Sequence, residues 1–154
     1  MADLFYGCII NIATARTMVA NTDFKLFKFY LAKSQPNPSG DAGYYIIPYA
    51  VFENGSGVRT SQLINDSYLE TNIYTCPADT ATKLTFPHVI LNKTEFETLC
   101  PPNVESTAIT VLAVGNAADT YVINYYYIVY EASTVLPGGQ RGSVTLDPSP
   151  PHHS

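Results

Sequence analysis

The chain has 154 residues, of which 46% are hydrophobic and 14% are charged. This length fits one compact domain that buries roughly 70% of the surface of the unfolded chain, so a core can form without a metal ion or disulfides. Low charge with an ordinary apolar share excludes intrinsic disorder and indicates a surface wetted by Ser, Thr, Asn and Tyr. The net charge of -5 disfavours binding to nucleic acid or to an anionic membrane.

The sequence contains no recognisable targeting segment. Residues 1–6 include an acidic side chain, and the apolar run over residues 7–12 is too short for the core of a secretory signal, so we expect no signal peptide. The longest apolar runs, such as residues 125–130, are far below the roughly 20 residues that cross a bilayer. We therefore expect no membrane span.

The three cysteines, Cys8, Cys76 and Cys100, include no CxxC motif. An odd number without that spacing disfavours both a closed set of disulfides and a cysteine-based zinc site. We expect free buried thiols, and a Cys76–Cys100 bridge is the alternative in an oxidising environment. The N-glycosylation acceptor pattern occurs at Asn54, Asn65 and Asn92, and without a secretory route it predicts nothing further.

Short strands separated by turns rich in Pro, Gly, Asn and Ser dominate the predicted elements. In chain order, we predict strands at residues 7–15, 23–33, 44–52, 68–76, 83–86 and 88–91, then one helical turn at 92–100, then a hairpin. Segment 23–33 also fits one face of a helix, and its aromatic content favours a strand. Pro48 predicts that its strand lies at an edge or bulges.

The hairpin is the clearest local pattern. Residues 107–114 and 121–130 are strongly strand-forming, and residues 115–119 between them are typical of a turn. Because side chains alternate along a strand, Tyr125 and Tyr127 share one face and Tyr130 lies on the other. Neither face is polar enough for ordinary solvent, so we expect a central strand whose outer face is covered by a loop or a neighbouring subunit.

This pattern predicts an all-β, antiparallel β-sandwich of the jelly-roll type, with an immunoglobulin-like sandwich as the alternative. The domain is predicted to cover residues 1–136. Residues 137–154 are rich in Pro, Gly and Ser and predict an extended C-terminal tail, either loose or laid across a partner.

No local sequence motif indicates a catalytic activity. His88 is the one histidine outside the tail, and we interpret it as a strand-end residue capped by backbone rather than as a general base. An acyl-transfer enzyme would need a spatial partnership between His88 and a Cys or Ser nucleophile. The sequence predicts no catalytic residues, no metal site and no cofactor.

Tyrosine is the unusual component, with 12 in the chain. Its large, rigid ring with a polar tip is enriched at protein interfaces, and so many tyrosines in a chain poor in charge favour an extensive buried interface. The candidate interface residues are Tyr44, Tyr45, Tyr125, Tyr127 and Tyr130.

Residues 105–133 resemble the last two strands of the jelly-roll coat proteins of small icosahedral RNA viruses. An apolar strand, a short Gly-containing loop and a final aromatic-x-Tyr-Glu ending, here residues 127–131, carry the resemblance. It implies a self-assembling shell or spike domain in a virion or an assembled extracellular particle. Such coat proteins carry a basic N-terminal arm, whereas residues 1–24 hold only Arg16, so we expect an outer, protruding or accessory subunit without direct contact to nucleic acid.

Two functional hypotheses result. The first is a structural protein without catalytic activity that assembles with copies of itself or with other shell proteins. The second is a binding module that presents tyrosines to a carbohydrate or a receptor.

Overall fold

The computed structural model describes residues 2–33, 42–77, 88–101, 108–119, 122–135 and 141–149. Most of these residues lie in strands, so the all-β prediction is confirmed. The elements in chain order are β1 (Ala2–Asn11), α1 (Ile12–Val19), β2 (Phe24–Lys33), β3 (Ala42–Glu53), β4 (Arg59–Leu63), β5 (Ser67–Pro77), β6 (His88–Asn92), α2 (Lys93–Leu99), β7 (Ala108–Ala118), β8 (Tyr126–Val135), β9 (Arg141–Thr145) and β10 (Asp147–Ser149). The predicted strand at 83–86 lies outside the described residues.

The described strands form one curled sheet. Its main order is β10-β6-β2-β3-β1-β7-β8-β9, with β4 added to β3 and β5 added to β1. Neighbouring strands are antiparallel except β1 and β3, which pair in parallel over the three residues from Asp3 to Phe5. The sheet is therefore mixed, and the prediction of a purely antiparallel sheet is wrong at this pair. Helix α1 and strand β2, residues 12–33, lie between β1 and β3 in the chain, so β3 can enter the sheet in the same direction as β1.

One continuous segment, residues 141–149, joins the two ends of this strand order. Its first half, β9, pairs with β8, and its second half, β10, pairs with β6. Leu146 between them is buried and its backbone N–H donates to the Tyr130 carbonyl oxygen at 2.9 Å. The predicted boundary at 136 thus differs from the structure, because part of the predicted 137–154 tail is hydrogen-bonded into the sheet.

The core fills the inside of the curled sheet. Alternate residues of β2, among them Phe27 and Phe29, point inwards and are almost fully buried, which confirms the predicted strand. The Phe27 ring lies 4.8 Å from Phe24 and 5.6 Å from Phe96 of α2, measured between ring centroids. Burial of large apolar side chains in contact with one another is the main stabilising term of such a fold.

The two helices begin at asparagine caps. The Asn11 side chain accepts from the Ala13 backbone N–H at 2.8 Å, and α1 then buries Ile12, Ala15 and Val19. The predicted strand 7–15 is therefore wrong beyond residue 11, because the cap and the helical spacing of those three residues outweigh the alternation. The predicted helical turn at 92–100 is confirmed as α2, whose cap is a reciprocal pair of hydrogen bonds between Asn92 and Glu95.

Pro48 lies inside the sheet and not in an edge strand. On one side β3 pairs with β2; on the other it pairs first with β1, up to Tyr44, and then with β4, from Tyr49 onwards. The Pro48 carbonyl oxygen accepts from the Ile64 N–H at 3.1 Å. Because the N–H and C=O of a strand residue point to the same edge, the donor that proline lacks falls in the gap between β1 and β4, where it is not needed.

The hairpin of β3 and β4 has a polar turn that fixes its register. The Asn54 side chain accepts from the backbone N–H groups of Ser56 and Val58, and Gly57 has φ of +79°, which glycine adopts without strain. Across the strands, Arg59 Nε donates to Glu53 Oε1 at 2.8 Å.

In the hairpin of β7 and β8, the strands are confirmed and the turn is displaced. The predicted turn residues up to Ala118 belong to β7, and the chain reverses between Asp119 and Tyr125 instead. A register shift between Ala113 and Gly115 absorbs one residue and keeps this stretch paired with β8. The predicted central position of the last strand is confirmed, since β8 pairs with β7 and β9.

Gly7 is required by the close approach of β7. A Cβ atom at this position would collide with the Val111 carbonyl oxygen and would lie 2.7 Å from Leu112 Cδ2. We expect Gly7→Ala to lower the free energy of unfolding by about 1–3 kcal/mol, as other overpacking substitutions do. Gly55→Ala is the control, because its Cβ would meet no atom within 4 Å. Urea unfolding of both variants checks this, and equal stabilities would contradict the close packing of β1 on β7.

Candidate interaction surface

Two of the five candidate tyrosines face inwards. The Tyr44 ring stacks on Phe5, with centroids 5.0 Å apart and an interplanar angle of 17°, and its pKa is raised by burial and by the nearby Asp3. Tyr130 is 1% exposed, and its hydroxyl group has no hydrogen-bond partner among the described residues. The prediction that Tyr130 contacts a partner is wrong, because alternation along β8 turns it into the core with Ile128.

Tyr45 lies on the opposite, outer face of β3. Its ring stacks on Tyr6, with centroids 5.0 Å apart and an interplanar angle of 13°. The same face carries Tyr49, whose ring meets Tyr30 of β2 edge to face at 5.3 Å. Together these four half-buried tyrosines, Tyr6, Tyr30, Tyr45 and Tyr49, form a tyrosine row across β1, β3 and β2. Lys28 Nζ lies 5.9 Å from the Tyr30 ring centroid, within cation–π range.

A groove of about 320 Å³ adjoins the tyrosine row. It opens where β3 leaves β1 to pair with β4 while β5 continues along β1, so the sheet forks at this point. The fork groove is lined by Gly7, Cys8, Tyr45, Ile46, Ile47, Pro48, Leu63, Ile64, Asn65, Ser67, Tyr68 and Leu69. None of these side chains is charged.

Three residues at the fork groove expose large apolar surface. Leu63 at the end of β4 is 43% exposed, and Tyr68 and Leu69 at the start of β5 are 60% and 44% exposed. Exposed large apolar side chains grouped at one place in a fold indicate a candidate interaction site. The sequence analysis did not identify these residues. A usable signal was the adjacent apolar pair Tyr68 and Leu69, because alternation along a strand places one side chain of such a pair on the solvent-facing side.

The second exposed apolar feature is the turn between β7 and β8, residues 122–125, termed the hairpin tip. Val122 and Tyr125 are 41% and 40% exposed, and Ile123 is 86% exposed. Asn124 has φ of 67°, a left-handed conformation that asparagine tolerates and that reverses the chain here. Of the candidate interface tyrosines, Tyr125 lies in the tip and Tyr127 is half-buried in β8.

His88 begins β6, as predicted, but it is not capped by backbone. Both ring nitrogens are buried and make no hydrogen bond within the described part of the chain, and the ring lies 5.0 Å from Tyr30 between centroids. Burial, with the nearby Lys28, lowers its pKa and so favours the neutral ring. No described Cys, Ser or carboxylate side chain is within hydrogen-bond reach of either nitrogen, so the described residues do not form the pairing that an acyl-transfer site requires.

The three cysteines are free and buried, as expected, and the alternative Cys76–Cys100 bridge is absent. Burial raises the pKa of Cys8 to about 12 and that of Cys100 to about 11. Across the described ranges, no group of three His, Cys, Asp or Glu side chains is arranged to hold a metal ion. Neither of the two described helices is long and apolar enough to cross a membrane.

Comparison with known proteins identifies no relative. No protein-family model, no curated protein and no solved structure matches this chain. The resemblance to viral coat proteins therefore stays a prediction, and the fork groove and the hairpin tip are the features on which a functional argument can be based.

Burial of the thiols predicts slow alkylation of the native protein and a dependence of the free energy of unfolding on pH. We expect Cys8 and Cys100 to resist iodoacetamide at pH 8 in the native protein and to react in denaturant, because the thiolate is the reactive form. We also expect the contribution of Cys8 to the free energy of unfolding to be constant below about pH 8 and to fall as the pH rises from about 9 towards 12, since only the unfolded state then loses the Cys8 proton.

Mass spectrometry of the alkylated peptides and urea titrations between pH 7 and 11 check these expectations. The Cys8→Ala variant is the control, and its unfolding free energy should fall less steeply with pH. Rapid alkylation of native Cys8 would contradict its position in the core.

Proposed function

We propose that this chain is a structural β protein without catalytic activity that assembles with copies of itself or with other shell proteins. In this role it resembles a virion coat component, as a shell, protruding or accessory subunit, in a virion or an assembled extracellular particle. The observation that carries the proposal is the uncharged fork groove with Leu63, Tyr68 and Leu69 exposed around it.

The hydrophobic effect gives this surface its capacity to bind another protein. Removing apolar surface from water contributes roughly 25 cal/mol per Å², so exposed Leu and Tyr side chains favour contact with a partner. Tyrosine adds a hydroxyl group that stays hydrogen-bonded at a wet rim, which is why it is enriched in interfaces. The net charge of -5 makes copies of the chain repel each other in general, so an uncharged face is where they approach at least cost.

The jelly-roll assignment is part of the same proposal. The antiparallel pairing of most neighbouring strands and the apolar hairpin of β7 and β8 support it. The short parallel pairing of β1 with β3 departs from a purely antiparallel jelly roll.

Size-exclusion chromatography with light scattering at micromolar protein tests the assembly. We expect masses above the 16.8 kDa of one chain, and we expect Leu63→Asp to weaken association because a charge in an apolar contact has no partner. Val58→Asp is the matched control, since Val58 is 56% exposed and directly precedes the other end of β4. If the purified wild-type protein remains monomeric at every concentration measured, the proposal of self-assembly is wrong.

Carbohydrate binding is the second candidate, favoured by the combination of Tyr45 and Tyr68 with the polar side chains of Asn65 and Ser67 in one groove. Aromatic faces beside hydrogen-bonding groups suit a sugar ring. In that case the monomer binds a glycan saturably, and Tyr68→Ala abolishes the binding while Tyr125→Ala, outside the groove, does not. A glycan array without a hit for the wild type argues against this candidate.

A further inference from the structure

We propose that the hairpin tip of one copy seats in the fork groove of a second copy, with Ile123 as the inserted side chain. This inference rests on the proposed self-assembly and names the surface of the partner that fills the groove. It follows from two exposed features of one chain that complement each other, the projecting tip and the open groove.

The hairpin tip exposes an unusually large share of its apolar side chains to solvent. At 86% exposure, Ile123 gains nothing from the fold, whereas full burial of an Ile side chain contributes roughly 1.5–3 kcal/mol. Val122 and Tyr125, one and two residues away from Ile123, are also exposed, so the tip carries three exposed apolar side chains beside Asn124. An isolated exposed apolar residue is ordinary, but a cluster at the end of a hairpin marks a contact site.

Three hydrogen bonds connect Asp119, Val122 and Tyr125 at the base of the tip. The Asp119 N–H donates to the Tyr125 carbonyl oxygen at 2.9 Å, and the Tyr125 N–H donates to the Val122 carbonyl oxygen at 3.3 Å. The Val122 N–H donates to Asp119 Oδ1, also at 3.3 Å. These hydrogen bonds reduce the conformational entropy that the described residues of the tip lose on binding, so more of the apolar burial is retained as affinity.

The groove matches the tip in chemistry. It is lined by uncharged side chains, as the tip is, and its volume of about 320 Å³ leaves room for one aliphatic side chain and part of its neighbours. In a chain of net charge -5, contact between these two uncharged surfaces avoids the repulsion that other faces of two copies experience. Given the self-assembly proposed above, this charge argument selects the fork groove and the hairpin tip as the surfaces at which a second copy approaches.

A chain cannot fill its own groove with its own tip. The groove lies beside Gly7 and Cys8, and Cys8 pairs with Val111 of β7. From Val111 the strand continues to Ala118 before the tip begins, which places the tip roughly 23 Å further along the strand at about 3.3 Å per residue. Seating therefore joins the tip of one copy to the groove of another, and where the pair does not reciprocate the contact it is heterologous and continues into rings, shells or filaments.

Complementation between two variants tests the arrangement. Ile123→Asp removes the tip and keeps the groove, and Tyr68→Asp alters the groove and keeps the tip. Both residues are exposed, so we expect both variants to fold, with circular dichroism and thermal unfolding as checks. Val135→Asp is the control, since Val135 is 62% exposed and lies outside both surfaces.

In sedimentation velocity, we expect each variant alone to associate at least about 30-fold more weakly than the wild type, as expected for loss of a central apolar anchor. An equimolar mixture should form dimers and nothing larger, because one intact tip and one intact groove remain per pair. Ile123→Ala should weaken association in the same direction without adding a charge.

The outcomes separate the two proposals. If the wild type assembles and Ile123→Asp assembles equally well, the tip is not the contact and this inference is wrong, while self-assembly stands. If each variant is monomeric but the mixture does not form dimers, the contact does not join tip to groove and the inference is also wrong. If the wild type never assembles, the proposed self-assembly fails first, and binding of an unrelated protein at the groove becomes the explanation of the exposed surface.

Discussion

Hydrogen bonds from one short segment to both ends of the sheet hold the architecture together. An open sheet leaves two edges with unpaired backbone groups, which are costly when buried and prone to pair with other chains when exposed. Here residues 141–149 satisfy the ends presented by β8 and β6, and buried Leu146 anchors the segment to Tyr130 between them. The inward faces of most strands then surround the main core, and the fork and the hairpin tip, which carry two groups of exposed apolar residues, lie outside that closure.

Local pattern predicted those elements whose own residues decide their conformation. The aromatic alternation of β2 and the Asn92 cap of α2 are of this kind. The helix α1 was missed because the alternation of residues 7–11 continues past Asn11 in the sequence, although the cap there ends the strand. β4 was missed because its side chains are polar or exposed, and its position depends on Asn54 and Gly57 in the preceding turn. Closure by residues 141–149 joins strands distant in sequence, which no local pattern records.

The candidate surface also combines features that local sequence predicts with features that depend on strand pairing. Sequence reasoning identified tyrosine as the residue type of interest, yet adjacent Tyr44 and Tyr45 face opposite sides of β3, and only Tyr45 reaches the fork groove. Alternation states that two neighbours diverge but not which one faces the core, because this depends on how the sheet curls. The groove itself is a property of strand pairing, since it exists where β3 changes partner from β1 to β4.

The fork has a consequence for the order in which the chain folds. β7 and β8 are neighbours in sequence, so their hairpin and its tip can form on a local, fast timescale, whereas the fork needs β1, β3, β4 and β5 together. Incompletely folded chains therefore carry a finished tip before they carry a finished groove. In the proposed assembly, such a chain docks on a growing particle but offers no place for the next copy, so it acts as a chain terminator, and the rate of folding sets the length to which assemblies grow.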